Sequence, residues 1–399
     1  MNRALFVSNL FPSVAEPIRG LDNAVLLHTL REDWKIRVLS PRAALIPLLF
    51  RKPEARGEDC CFEPEYVPSP YVPKLGSRWN DQLMEAWMES VFKKLIHEFR
   101  PDVILCSWLF PDGCAVARLA ERHRIPVVLV TQGTDTHTYL EDPQRRKKIL
   151  RAVDQCSAVI CRSGDLASRL ESAGANPSNL HVIYNGVDTD TFCVRERDEA
   201  RESLGIEHSA PILLFVGNYL PVKNPLFLIS MLRELNRRRE SSGDVPVHLV
   251  FIGDGPLRSA LENEAAAMGL SEHVTILSRK PAEEIALWMA AADVFCLSSH
   301  NEGFPNVLLE AMACELPVVS TDVGGISELI DRRSLGVLLP PGDLAAFVDS
   351  VTEVLTGRGV SERRTSQERD ASWAAAGAAY SKVMDLALEK WGKACPSQV

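Results

Sequence analysis

The chain has 399 residues, 46% of them hydrophobic and 24% charged, with a formal net charge of -9. That length exceeds one ordinary hydrophobic core and predicts two domains of about 200 residues or fewer. The acidic balance excludes nucleic-acid binding by bulk charge, and no run reaches the roughly 18 apolar residues that a membrane-spanning helix needs.

The first segment, MNRALFVSNLFPSVAEP, has a short apolar run that Asn9 interrupts, and no small-residue cleavage site follows. It reads as a first strand rather than a secretion signal, which predicts a cytoplasmic chain. Short apolar runs rich in β-branched residues come next: WKIRVLS, DVILCS, PVVLVTQG, AVICRS and LHVIYNG. Amphipathic stretches such as DQLMEAWMESVFKKLIHEF and GCAVARLAERHR separate them. Alternation of this kind predicts a parallel sheet covered by helices.

The polar stretch NGVDTDTFCVRERDEARESLGIEHSA marks a boundary near residues 186–210. The alternation then restarts with APILLFVGN, VHLVFIGDG, HVTILS, ADVFCLS, LPVVST and GVLLP. The expected fold class is α/β, with two doubly wound Rossmann-like domains facing across a cleft and ligands at the carboxyl ends of both sheets. Residues 1–190 form the N-terminal domain and 200–371 the C-terminal one. TGRGVSERRTSQERD reads as a loop or exposed helix. The alanine-rich residues 372–393 form a helix that packs back on the N-terminal domain. The ten cysteines are scattered, with Cys60 and Cys61 adjacent and no C-x-x-C spacing. They predict reduced, mostly buried thiols and no zinc site.

Three stretches carry chemistry. In FIGDGP the glycines Gly253 and Gly255 follow a strand, but Arg258 stands where a dinucleotide fingerprint needs a third glycine. The stretch is a tight turn at a strand's carboxyl end, and a nicotinamide enzyme loses its support. In FVGNYLPVKNP a glycine ends another strand and Lys223 follows in the loop, where it can reach an anion. In HNEGFPNVLLEAMACELPVVSTDVGG, Pro305 fits the first turn of a helix. The amides behind it point outward and favour a phosphate, and Gly303 lets a backbone approach closely. Glu310, about one turn into that helix, is an acceptor for vicinal hydroxyls. A diphosphate repels a carboxylate, so Glu310 faces a neighbouring sugar ring, and Glu302, on the other side, faces the hydroxyls of a second sugar.

EGFPNVLLEAMACELPVVSTDVGG closely resembles the E-x7-E signature of family 4 retaining glycosyltransferases, which have the two-domain GT-B fold. The resemblance covers nearly the whole chain: FVGNYLPVKN, VFIGDGPLRSALE and ALWMAAADVFCLSS stand in the expected places. PDVILCSWLFPDGCAVARLAERHRIPVVLVTQGTDTHTY, RRKKIL and VIYNGVDTDTF resemble the branch of teichuronic-acid and exopolysaccharide enzymes. The implied activity is hexosyl or related transfer from a nucleotide-diphosphate sugar to an acceptor hydroxyl, with retention, in bacterial cell-surface polysaccharide or glycolipid synthesis. Two further readings share the architecture: a nucleotide-sugar 2-epimerase and a non-catalytic sugar-binding relative.

The resemblance also implies roles. Glu310 is similar to the glutamate that holds the donor ribose, and Glu302 to the one facing the transferred sugar. Phe304, Asn306 and Val307 match the backbone that cradles the diphosphate, and Lys223 the diphosphate lysine. Gly253, Asp254, Gly255 and Pro256, with Arg279 and Lys280, lie where the nucleobase packs. Gly20 resembles the glycine of the first N-terminal loop, bordering donor phosphate and acceptor. Asp135 is retained as a residue orienting acceptor or donor sugar, which makes Glu302, Lys223 and Asp135 the catalytic set. There are two departures. Asn218 stands where relatives often have arginine, and Gln132 where many have histidine; His137 does not inherit that role. No cofactor or metal is implied, since the Asp188–Asp190 acidic pair falls in a turn of this family. The implied partners are the donor, a glycan or lipid-linked acceptor, and an anionic membrane surface on the cytoplasmic inner face. The basic residues Arg42, Arg51, Lys52 and Arg56 and the stretch RRKKILR at 145–151 read either as solvated helix faces or as a patch that would meet that surface.

Overall fold

A computed structural model describes residues 1–207, 209–330, 336–357 and 371–394. The polar stretch before the C-terminal helix falls almost wholly on 358–370, outside the described residues. The chain forms two compact units, one of Met1–Asn185 with the chain from Trp373 onward, the other Gly186–Ser372.

The first unit holds a parallel sheet of seven strands: β1 (Asn2–Val7), β2 (Trp34–Ala44), β3 (Glu65–Pro70), β4 (Val103–Ser107), β5 (Val127–Val130), β6 (Ala158–Cys161) and β7 (Leu180–Val182). Their order is β3-β2-β1-β4-β5-β6-β7, so the topology reverses between β1 and β4. The central strands are buried on both faces, as helix-covered parallel strands require; every residue of β4, β5 and β6 is buried. The C-terminal helix Trp373–Ala394 completes this unit. Its Tyr380, Val383, Met384 and Ala387 join the core that contains Phe6, Leu27 and Trp34, and Trp34 Nε1 donates to Ser381 Oγ at 2.9 Å. Gly377 lets the helix lie close: a Cβ there would collide with Thr29 Oγ1.

β3 is the strand that the apolar runs do not announce. Its segment EYVPSP contains two prolines, which argue against a central strand. β3 lies at the sheet edge, where a missing N–H removes no necessary bond.

The second unit repeats the plan with six parallel strands: β8 (Ile212–Val216), β9 (His248–Ile252), β10 (Val274–Leu277), β11 (Val294–Leu297), β12 (Val318–Thr321) and β13 (Gly336–Leu339). The order is β10-β9-β8-β11-β12-β13, so this sheet reverses between β8 and β11. A crevice opens at such a reversal because the flanking loops turn to opposite faces.

The basic stretches are used mostly inside the first unit. Arg42 is buried and donates to the carbonyl of Phe11 and to Glu16, which corrects its expected place at a membrane surface. Arg56 pairs with the fully buried Asp59, and Lys52 with Glu65. Within 145–151, Arg145 lies over the rings of Tyr139 and Phe110, and Lys148 binds Asp81 and the Arg78 carbonyl. Arg51, Lys147 and Arg151 are exposed. So are four apolar residues near Arg51 in the chain, Leu45, Ile46, Leu48 and Leu49. No described helix is long and apolar enough to cross a membrane.

Candidate active site in the C-terminal unit

The loops after β8 and β11 flank the reversal and carry the central pair. After β8 the chain runs through Gly217, Asn218 and Tyr219 into a short turn, Pro221–Lys223, before the helix Pro225–Ser242. After β11 it passes Ser298, Ser299 and Glu302 before the helix Asn306–Ala313. Lys223 Nζ meets Glu302 at 2.6 Å from Oε1 and 2.5 Å from Oε2. Glu302 is only 5% exposed, and its Oε1 also accepts the Ser299 hydroxyl at 2.6 Å.

The supporting bonds were not legible in the sequence. Ser298 Oγ donates to the carbonyls of Lys223 at 3.2 Å and Asn224 at 2.9 Å, tying one loop to the other. Thr321 Oγ1 donates to the Ser299 carbonyl at 2.7 Å. Gly324, at φ 59°, lies against Glu302: a Cβ would collide with the Glu302 carbonyl oxygen. Gly324, at the end of the same stretch, thus sets a close backbone approach of its own. The Gly324–Gly325 dipeptide was the available signal.

Pro305 is the N-cap, one position before the helix begins at Asn306. Its carbonyl accepts the Leu308 amide at 3.0 Å, closing the first turn. Leu308, Leu309 and Ala311 are buried against the core. Glu310 stands between them on this apolar helix, and its carboxylate makes no hydrogen bond or ion pair among the described residues. Burial pushes it up to about 7. The residue remains partly accessible, so the carboxylate can accept hydroxyl donors from a ligand in place of water.

The turn after β9 is clamped to the turn after β8. Tyr219 N–H donates to the Asp254 carbonyl at 2.8 Å, and Leu257 N–H to the Tyr219 carbonyl at 3.1 Å. A Cβ on Gly253 would collide with the Gly217 carbonyl oxygen, and one on Gly255 would lie 2.7 Å from that of Tyr219. Both glycines answer to close backbone packing, and Pro256 follows on the exposed side. After β10, Arg279 Nη2 donates to Asn218 Oδ1 at 2.9 Å. A cation thus rests on Asn218, the position where the resemblance expects an arginine. Lys280 is turned to Glu284 at 2.7 Å, along the next helix.

The expected residues of the first unit are held differently. Gly20, at φ 63°, packs against the Leu10 carbonyl, which leaves no room for a Cβ. Asp135 is fully buried; its carboxylate accepts the amides of Leu109 at 2.9 Å, Gln132 at 3.0 Å and Gly133 at 2.8 Å. Burial raises its pKa, and these amide bonds oppose the rise. That geometry makes Asp135 a positioning residue for its loop rather than a group open to an acceptor. Gln132 is equally engaged: its amide nitrogen donates to Ser107 and Asn23, and its oxygen accepts from Arg162. Arg162 is buried and paired with Asp22. His137 is buried and lies 3.3 Å from Asp165. Asp188, in the second unit, caps its own turn by accepting the amides of Asp190 and Thr191.

Two family models cover most of the chain: Glycosyltransferase Family 4 matches residues 30–191, and Glycosyl transferases group 1 matches 196–372. The putative teichuronic acid biosynthesis glycosyltransferase TuaC of Bacillus subtilis is 26% identical over 368 residues, 88% of each chain. The D-inositol 3-phosphate glycosyltransferase of Gordonia bronchialis is 30% identical over 321 residues, 78% of this chain and 69% of the relative. Among solved structures, Anabaena Alr3699/HepE in complex with UDP-glucose matches over 100% of both chains with a TM-score of 0.67 and 21% identity. Sucrose-phosphate synthase from Thermosynechococcus elongatus matches over 99% of this chain and 98% of its own, with a TM-score of 0.72 and 16% identity. With two doubly wound sheets and both halves matched along the sequence, the chain belongs to the family 4 glycosyltransferases of the GT-B fold.

Proposed function

We propose that this glycosyltransferase takes its sugar from a nucleotide-diphosphate donor and transfers it with retention at the anomeric carbon, without a metal ion. The observation that carries the reading is Glu310: a partly accessible carboxylate with no hydrogen-bond or ion-pair partner among the described residues, on the helix that follows the Lys223–Glu302 pair. Glu310 accepts the ribose hydroxyls. Lys223 and the first amides of the helix at Asn306 and Val307, with the backbone of Phe304, hold the diphosphate. Glu302 faces the transferred sugar. The nucleobase packs on the turn from Gly253 to Pro256, beside Arg279. The HepE structure contains UDP-glucose, which agrees with a donor of this class.

In the reaction the bond from the anomeric carbon to the donor phosphate breaks, and a bond to the acceptor oxygen forms on the same face. The acceptor's proton passes to the departing phosphate oxygen. Negative charge grows on the diphosphate as it leaves. The fixed ammonium of Lys223 and the helix amides stabilise it, and stabilisation of this kind is usually what lowers such a barrier most. The work of a metal ion is then done by groups of the protein.

The acceptor is a glycan or lipid-linked hydroxyl in cell-surface polysaccharide or glycolipid synthesis, in keeping with the name of the relative from Bacillus subtilis. Peripheral docking on the cytoplasmic face of a membrane fits the exposed Leu45, Ile46, Leu48 and Leu49 followed by Arg51. Flotation with anionic liposomes tests this: the wild type floats, and Leu48→Asp with Leu49→Asp stays at the bottom. A screen of UDP-, GDP- and ADP-sugars for binding and slow hydrolysis, repeated in excess chelator, tests the donor class. One class binds, and its turnover survives the chelator. Loss of all turnover in chelator, or an inverted anomeric configuration in the product, contradicts it.

A further inference from the structure

Lys223 and Glu302 occupy each other. The ammonium lies 2.6 and 2.5 Å from the two carboxylate oxygens, and the pair sits where the proposed diphosphate and sugar must meet. The backbones on both sides are pinned. Ser298 holds the carbonyls of Lys223 and Asn224, the His300 amide donates to the Val222 carbonyl at 2.8 Å, and Thr321 holds Ser299. Gly324 presses on the Glu302 carbonyl. With the loops fixed, the pair parts only at its end groups.

A buried carboxylate that loses its cation needs other donors, or it carries the full penalty of burial. The two halves of a nucleotide sugar differ in what they offer. The diphosphate draws Lys223 away but is itself an anion, repels Glu302 and has no N–H or O–H to give. The sugar hydroxyls are donors. Building on the proposed donor site, we infer that Glu302 keeps Lys223 in a resting ion pair that a complete nucleotide sugar releases and a bare nucleoside diphosphate does not. When the donor binds, its phosphate takes the ammonium while hydroxyls of the transferred sugar satisfy the carboxylate. After transfer the sugar departs with the acceptor, Glu302 reclaims Lys223, and the diphosphate product is expelled. Glu302 is thus a specificity residue that favours substrate over product. Ser299 is a positioning residue: its hydroxyl keeps the carboxylate in place while Lys223 is engaged elsewhere.

Calorimetric titration of the full-length protein with UDP, GDP and ADP, and with their glucose conjugates, tests this. Glu302→Gln keeps the shape and the Ser299 contact but removes the charge. It is expected to bind the preferred nucleoside diphosphate about tenfold more tightly than the wild type, the size of one charge-assisted hydrogen bond regained. Ser299→Ala narrows the preference for conjugate over diphosphate about threefold, and Ser299→Thr restores it. Tighter diphosphate binding in Glu302→Ala as well would exclude an effect of the new amide. If neither Glu302 variant binds the diphosphate more tightly while Lys223→Ala binds it more weakly, the resting pair is refuted and the donor site stands. If Lys223→Ala leaves the affinity for the preferred nucleotide sugar unchanged, the donor site itself is refuted.

Discussion

The two sheets share a strand order around their reversals, and the loops at the two reversals are put to different use. Between β1 and β4, Asn9 donates to Asp112 through its backbone at 2.6 Å and its side chain at 2.8 Å. Gln132, Asn23, Ser107 and Arg162 close into one network nearby. Asp135 is bound by three amides. Between β8 and β11, by contrast, the Glu310 carboxylate has no donor among the described residues, and a single ion pair joins Lys223 to Glu302. The same architecture can hold its polar groups for itself or leave them for a ligand. Satisfied buried groups rigidify a loop; a partly accessible one without a protein partner stays open to a ligand.

The largest effect that would break this contrast is on turnover. Lys223→Ala is expected to slow transfer by about two to three orders of magnitude, because it removes a fixed charge at the leaving group. Steady-state assays at saturating donor measure it, and turnover within threefold of wild type would end the contrast. Next is the pH dependence of donor binding. Burial raises Glu310 to about 7 in the free protein, and hydroxyl donors favour its ionised form. Donor affinity should rise about tenfold from pH 6 to pH 8 as the carboxylate ionises, and the slope should vanish in Glu310→Gln. A pH-independent wild-type affinity would remove Glu310 from the site.

A smaller effect concerns the first unit. Burial raises the fully buried Asp112 from 3.8 to about 7 against its Asn9 bonds. The folded unit then holds a proton that the unfolded chain has released between those values. Its contribution to stability is therefore present below the unfolded pKa and falls as pH rises towards 7. Melting followed from pH 4 to pH 8 should fall by a few degrees, and Asp112→Asn should flatten that trend. The smallest expected change sharpens the comparison from the other side. Asp135→Asn places an amide nitrogen against backbone N–H groups and should lower the melting temperature by several degrees, for a loss of about 1–3 kcal/mol. The donor dissociation constant should stay the same; a tenfold weakening would return Asp135 to the substrate.

Much of this architecture was legible because strands buried on both faces read as apolar runs, and ILLFV or VILCS needs no partner to be recognised. β3 was not, because its prolines are acceptable only at an edge, and edge position is a property of the sheet. At the site, Glu302, Glu310 and Lys223 carried charge in a diagnostic spacing. Ser298, Ser299, Thr321 and Gly324 carried none; Ser299 acts within its own loop, and the others through contacts between segments apart in sequence. The use made of Asp135 and Gln132 was hidden for the same reason. A residue type says what a side chain can bind, and only the fold says whether its neighbours have already done so.

Hydrogen exchange with and without the best-binding member of UDP-, GDP- and ADP-glucose tests most directly whether the donor sits in the C-terminal unit. The expected result is slowed exchange in the amides of residues 217–224 and 298–310, with residues 132–137 unchanged. Protection confined to the first unit, with the loops after β8 and β11 exchanging as in the free protein, would contradict it.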